Sequence, residues 1–251
     1  MGQSHIPILM YHQTEEAPPK GAPMRGLVVA PETLRRHMGA LARLGYRGLS
    51  MSGLEPYLRG EKRGKVFGIT FDDGYENNLI HALPVLTHFG FSSTCYVVAG
   101  MVGQTNRWDA EKGIAQIPLM DAEQLQSWVN AGQEVGSHTV SHAMLATLNA
   151  EQQAAEIQQS KVMLESMVQQ PGGVRHFCYP YGSLNEASVT AVRTAGYATA
   201  TTTERGRVVL NGALDVLRLP RVLVSRTTAW PQLVWKCMTA YEDERSSRYA
   251  K

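Results

Sequence analysis

The stretch "GITFDDGYENN", residues 68–78, sets two carboxylates side by side: Asp72 and Asp73 follow an apolar run and precede a glycine. An Asp-Gly pair marks a turn, and an aspartate there can cap a following helix, so the pair alone carries no chemistry. "SHTVSH" places His138 and His142 four residues apart. On one helical turn both imidazoles would face a single ion, although the same spacing arises by accident on surface helices. "YPYGSLN", residues 179–185, is locally a Pro-Gly turn leading into a helix. His12 closes "LMYH", a position where a lone histidine is more often structural.

The order of elements decides whether these residues can meet. Apolar runs of strand length at 6–11, 67–71, 93–99, 133–137, 175–179 and 197–202 alternate with amphipathic patterns over 31–45, 78–90, 121–132, 149–168 and 185–196. Several of the helical stretches end on glycine, at Gly45, Gly90, Gly132 and Gly196, as the position after a helix prefers. The alternation predicts an α/β fold, a distorted or incomplete (β/α) barrel in a single domain. Residues 100–120 are long for a connection and are expected to form a lid or groove wall. After a body spanning 5–225, residues 226–251 read as a helix opening near Pro231 and a frayed polar tail.

In such a barrel the four motifs all fall where a strand ends and its loop begins, which gathers them on one rim. Asp73, His138 and His142 then form a two-histidine, one-carboxylate set with positions open for water and substrate. Asp72 remains beside the ion as a base.

Composition narrows the class. The chain has 251 residues, 43% hydrophobic and 18% charged, in the range of an ordinary globular enzyme. A net charge of +2 without a dense Lys/Arg stripe sets nucleic acid aside as a partner. Cys95, Cys178 and Cys237 stand at no metal or disulfide spacing and read as free thiols, which fits a reducing compartment. With no membrane-span-length apolar stretch and no basic n-region before "IPILMY", the sequence as written reads as cytoplasmic, a trimmed secreted form being the alternative.

"TFDDG", "HTVSH" and "YPYG", in this order and at these separations, resemble the signature motifs of the polysaccharide deacetylases, the NodB-homology or carbohydrate esterase family four enzymes. The opening "ILMYH" resembles the branch of poly-N-acetylglucosamine deacetylases, in which the motifs are circularly rearranged. The resemblance covers roughly residues 5–225 and implies a distorted (β/α) barrel. It implies that Asp73, His138 and His142 hold one divalent ion, zinc being expected, and that Asp72 is the general base. It also implies that the Tyr181 backbone N–H helps hold an oxyanion.

Two departures follow from the same resemblance. The family's late "LxH" histidine is replaced by "LRLPR", so the general-acid role passes to His12, as in the rearranged branch. The arginine expected three residues before Tyr181 is Cys178; Arg221 on the last strand, or less well Arg175, could supply that charge. Arg221 also reads as a solvated strand-end residue.

Rim aromatics Tyr11, Tyr75, Trp108, Tyr179 and Tyr181 are candidates for stacking on a sugar, Trp108 foremost because a polar loop offers its indole little core. Trp128 and Trp235 are expected on buried helix faces, and His5, His37, His81, His88 and His176 as surface or packing residues. The expected activity is metal-dependent hydrolysis of the N-acetyl group of an amino-sugar glycan, releasing acetate and a free amine. The alternatives are an amidase or deformylase acting on a small or lipid-linked amide, and a carbohydrate-binding relative without turnover.

Overall fold

A computed structural model describes residues 5–210 and 214–249. Eight parallel strands form one sheet: β1 (Ile8–Tyr11), β2 (Arg47–Leu49), β3 (Val66–Phe71), β4 (Thr94–Val97), β5 (Glu134–Ser137), β6 (His176–Cys178), β7 (Thr199–Arg205) and β8 (Leu219–Leu223). β1 pairs with both β3 and β8, Leu9 lying opposite Ile69 and Val222, and this closes seven of the strands into a barrel. β2 is an extra strand beside the start of β3. The helices are α1 (Pro31–Arg43), α2 (Met51–Leu58), α3 (Leu83–Phe89), α4 (Ala122–Asn130), α5 (Ala150–Met167), α6 (Glu186–Thr194), α7 (Trp230–Met238) and α8 (Tyr241–Tyr249).

All six residues of β3 are buried, and a strand covered on both faces needs an unbroken apolar run rather than an alternating one. The helices start where side chains can satisfy orphan amides. Asp121 with Gln124, Asn149 with Gln152 and Asn185 with Ser188 form reciprocal caps at α4, α5 and α6. Inside the barrel Gly136 leaves room for the Tyr96 ring, since a Cβ there would lie 2.6 Å from Tyr96 Cδ1.

Three features differ from the sequence reading. β2 and α2 fall in a stretch that offered no clear pattern, because α2 is short and contains Pro56, which normally breaks a helix. The polar tail is helical: the buried Glu242 of α8 pairs with Arg205 at 2.6 Å and with Lys236 at 3.0 Å. Trp235 is 48% exposed instead of core, its ring tilted by 34° against that of Tyr241 at 4.1 Å between centroids, because α7 turns Leu233 and Cys237 inward. Trp128 is fully buried, as expected, and donates its indole N–H to the Glu134 carbonyl.

His37 links the core to stability. Its Nε2 lies 2.7 Å from the Thr228 carbonyl, which can only accept, so Nδ1 is the bare nitrogen that accepts from the Tyr11 hydroxyl at 3.0 Å. Burial, reinforced by nearby Lys236 and only partly offset by the Thr228 bond, lowers the His37 pKa from 6.5 to about 4. The unfolded chain therefore takes up this proton first as pH falls. The stability held above pH 6.5 is lost progressively towards pH 4, by about 3 kcal/mol in total. Urea midpoints measured across this window will fall for the wild type and fall less for His37→Gln.

Candidate active site

The C-terminal ends of the barrel strands carry the motif residues. β3 ends at Phe71, and Asp72 and Asp73 follow directly, Asp73 in the left-handed region at φ 76°. β5 ends at Ser137 and releases His138, while β6 leads through Cys178 to Tyr179 and Tyr181. The histidine segment is not a helical turn, contrary to the spacing argument. Thr139 at φ 66° and His142 at φ 61° fold it back as an irregular loop, and that is how the imidazoles converge.

Among the described residues five non-glycine positions have positive φ: Met24, Asp73, Thr139, His142 and Tyr181. All but Thr139 line one cavity of about 240 Å³, and Thr139 lies between two of the wall residues. Strain of this kind persists only where the surroundings impose it, and it gathers at working sites.

Asp73, His138 and His142 are buried, and one ligand atom from each lies within 4.8 Å of the others. Asp73 Oδ1 is 3.5 Å from His138 Nε2 and 3.2 Å from His142 Nε2. His138 donates its Nδ1–H to the Cys178 carbonyl at 2.7 Å, which leaves Nε2 as a lone pair aimed at a carboxylate. Two electron-rich atoms held so close call for a cation or proton between them. The donor set therefore fits a divalent ion. Burial alone would raise the Asp73 pKa, but when protons occupy the Nε2 positions the hydrogen bonds from the two imidazoles reverse this and hold the carboxyl well below the usual range.

Asp72 is held by a different group. Arg221 donates from its two terminal nitrogens to the Asp72 oxygens at 2.7 and 2.8 Å, from Nε to the Thr202 carbonyl, and to Thr70 Oγ1 and Cys178 Sγ. These acceptors use all five N–H bonds of a fully buried guanidinium. Burial pushes the Asp72 carboxyl up, and the Arg221 charge and hydrogen bonds pull it below its ordinary value. Arg175 is at the other end of the barrel, paired with Glu55. His12 Nε2 lies 3.9 Å from Asp72 Oδ2, and His12 lines the same cavity.

The aromatic candidates separate. Tyr11 is corrected: it is fully buried in the core with its hydroxyl on His37, so it cannot stack on a ligand. Tyr179 is fully buried too and directs its hydroxyl to the Leu217 carbonyl, which makes it a wall of the site rather than a platform. Tyr75 lines the cavity and is 4% exposed. Trp108 stacks on His142 with centroids 4.6 Å apart, and Tyr181 meets the same imidazole edge-on at 4.5 Å. Lys112 ties this wall together, bonding Asp109 at 2.9 Å and the Tyr181 hydroxyl at 3.2 Å. Asp109 and Lys112 escaped the sequence reading; Asp-x-x-Lys in a polar loop is too common a spacing to signal a site.

The barrel is the fold of a family of carbohydrate deacetylases, whose members are hydrolases. Residues 59–200, more than half of the chain, match the polysaccharide deacetylase family, and the chain belongs to that family. It is similar to the Bacillus subtilis (strain 168) protein YxkH, whose name places it provisionally among the polysaccharide deacetylases: 29% identity over 219 residues, covering 86% of this chain and 71% of that protein. It is also similar to a Staphylococcus epidermidis poly-beta-1,6-N-acetyl-D-glucosamine N-deacetylase, at 26% identity across 68% of this chain and 60% of that protein. In fold it resembles the Streptococcus pyogenes deacetylase PplD, with a TM-score of 0.81 and 23% identity over 95% of this chain and 100% of that one. Family members generally use a divalent metal and act on carbohydrate. Among the described residues no helix is long and apolar enough to cross a membrane.

Proposed function

We propose that this chain hydrolyses the N-acetyl group of an amino-sugar glycan, releasing acetate and a free amine, with a single divalent ion, zinc expected, held by Asp73, His138 and His142. The observation that carries the reading is the meeting, in one cavity, of that ligand set with a second aspartate fixed by a buried arginine. The ion would supply Lewis acidity, making water a better nucleophile and the amide carbonyl a better electrophile.

The chain's own groups do the rest. Asp72 accepts the proton of the attacking water; Arg221 keeps it ionised and fixes both its oxygens, which makes it a well-placed but weak base. The Tyr181 N–H stabilises the oxyanion of the tetrahedral substrate carbon. His12, 3.9 Å from Asp72, gives its proton to the departing nitrogen. Tyr75 and Trp108 wall the sugar site.

Purified protein should carry about one ion per chain and release acetate from N-acetylglucosamine oligomers, losing activity on chelation and regaining it on reloading. Formate release from a formamido substrate, without acetate, would favour the small or lipid-linked amide reading. Metal without any turnover would favour a binding protein.

A further inference from the structure

His138 and His142 are held in different ways. His138 is fixed through its ring, by the Nδ1 bond to the Cys178 carbonyl, whereas His142 Nδ1 is buried and has no hydrogen-bond partner. Something other than a ring hydrogen bond must set the direction of His142 Nε2. The rings of Trp108 and Tyr181 limit its tilt, but they cannot fix the backbone from which it springs.

That backbone is clamped on both sides. The Ala99 and Gly100 N–H groups donate to the Thr139 and Val140 carbonyls at 3.0 and 2.9 Å. The approach is close, a Cβ on Gly100 standing 2.7 Å from the Val140 oxygen. On the other side Glu156 of α5 receives three bonds through one carboxylate: Val140 N–H at 2.8 Å, Ser141 N–H at 3.0 Å and the Ser141 hydroxyl at 2.6 Å. The peptide N–H groups just before His142 therefore end on a charged acceptor, the stronger kind of hydrogen bond. His142 follows in the left-handed region, a conformation that relaxes readily once its flanks are released.

We propose that Glu156 is a positioning residue for the metal, aiming His142 by holding the Val140–Ser141 backbone. The inference rests on the reading of Asp73, His138 and His142 as the metal set. Glutamine at 156 keeps the size, and its amide can donate to the Ser141 hydroxyl, but the two backbone N–H groups then end on a neutral carbonyl in place of a charged carboxylate, the weaker acceptor. Outer partners of this kind typically govern metal affinity by roughly 10- to 100-fold.

The test is zinc affinity by competition with a chromophoric chelator on full-length wild type, Glu156→Gln and Ser141→Ala, each checked for an unchanged metal-free melting temperature. Ser141→Ala removes a single bond and serves if Glu156→Gln folds poorly. The expected result is a roughly 10- to 100-fold weaker Kd for Glu156→Gln, a smaller loss for Ser141→Ala, and recovery of kcat in both at saturating zinc. Wild-type affinity in both variants overturns the role of Glu156 and leaves the metal reading standing. Failure of the wild type itself to bind zinc overturns both.

Discussion

Replacing Asp72 by asparagine lowers kcat/KM for acetate release by about 10³-fold while the chain keeps about one metal ion, because the amide fits the same space and cannot take a proton. Asp73 lies within 3.5 Å of both imidazoles, whereas Asp72 clusters with only one of the two, His138, and has both oxygens held by Arg221, so metal content and turnover should separate in this variant. Elemental analysis paired with acetate assays reads both quantities on one sample. Loss of metal together with activity would exchange the roles of the two aspartates. Normal activity would remove Asp72 from the mechanism.

Arg221→Met produces the largest loss of stability. The guanidinium has five donors on five acceptors and no solvent exposure, and its removal leaves Asp72 as a buried, uncompensated carboxylate. Breaking one side of such a pair costs about 3–5 kcal/mol. The double variant Asp72→Asn/Arg221→Met discards the orphaned charge and should recover much of that loss in urea unfolding, an outcome that simple loss of packing would not give. Arg221→Lys keeps a charge but cannot grip both Asp72 oxygens at once; activity should drop far more than stability. Equal destabilisation in the single methionine and double variants would mean that the ion pair is not what the arginine contributes.

The barrel was legible because β1, β3, β4, β5 and β6 are buried along their whole length, and such strands write themselves as short apolar runs between helical patterns. Asp72, Asp73, His138 and His142 were legible for a related reason: parallel strands align their exits, so residues just past each run share a rim. The geometry of that rim was much less so. The His138–His142 spacing suggested a helical turn, whereas left-handed residues at Thr139 and His142 make the approach. Tyr11 looked like a rim aromatic from its place beside His12, yet strand alternation turns it into the core against His37.

Arg221 could be named as a source of charge from its place on the last strand, but its bidentate grip on Asp72 depends on barrel closure, which no local pattern encodes. Glu156 was silent because its partners are mainly backbone N–H groups, present at nearly every position and so without a sequence signature. Asp109 and Lys112 were hidden for a similar reason, their meaning coming only from the nearby Tyr181 hydroxyl.

The position of Arg221 also bears on how the molecule comes into being. The aspartates leave the ribosome about 150 residues before the arginine that neutralises Asp72, the separation between them in the chain being 149. During synthesis the carboxylates must wait in water, because burying Asp72 without its partner is unfavourable. β8 is the strand that seals the barrel between β7 and β1, and it brings Arg221 with it. Closure of the barrel and completion of the charge pair therefore both depend on β8, and a nascent chain that has not yet delivered it lacks the partner of Asp72.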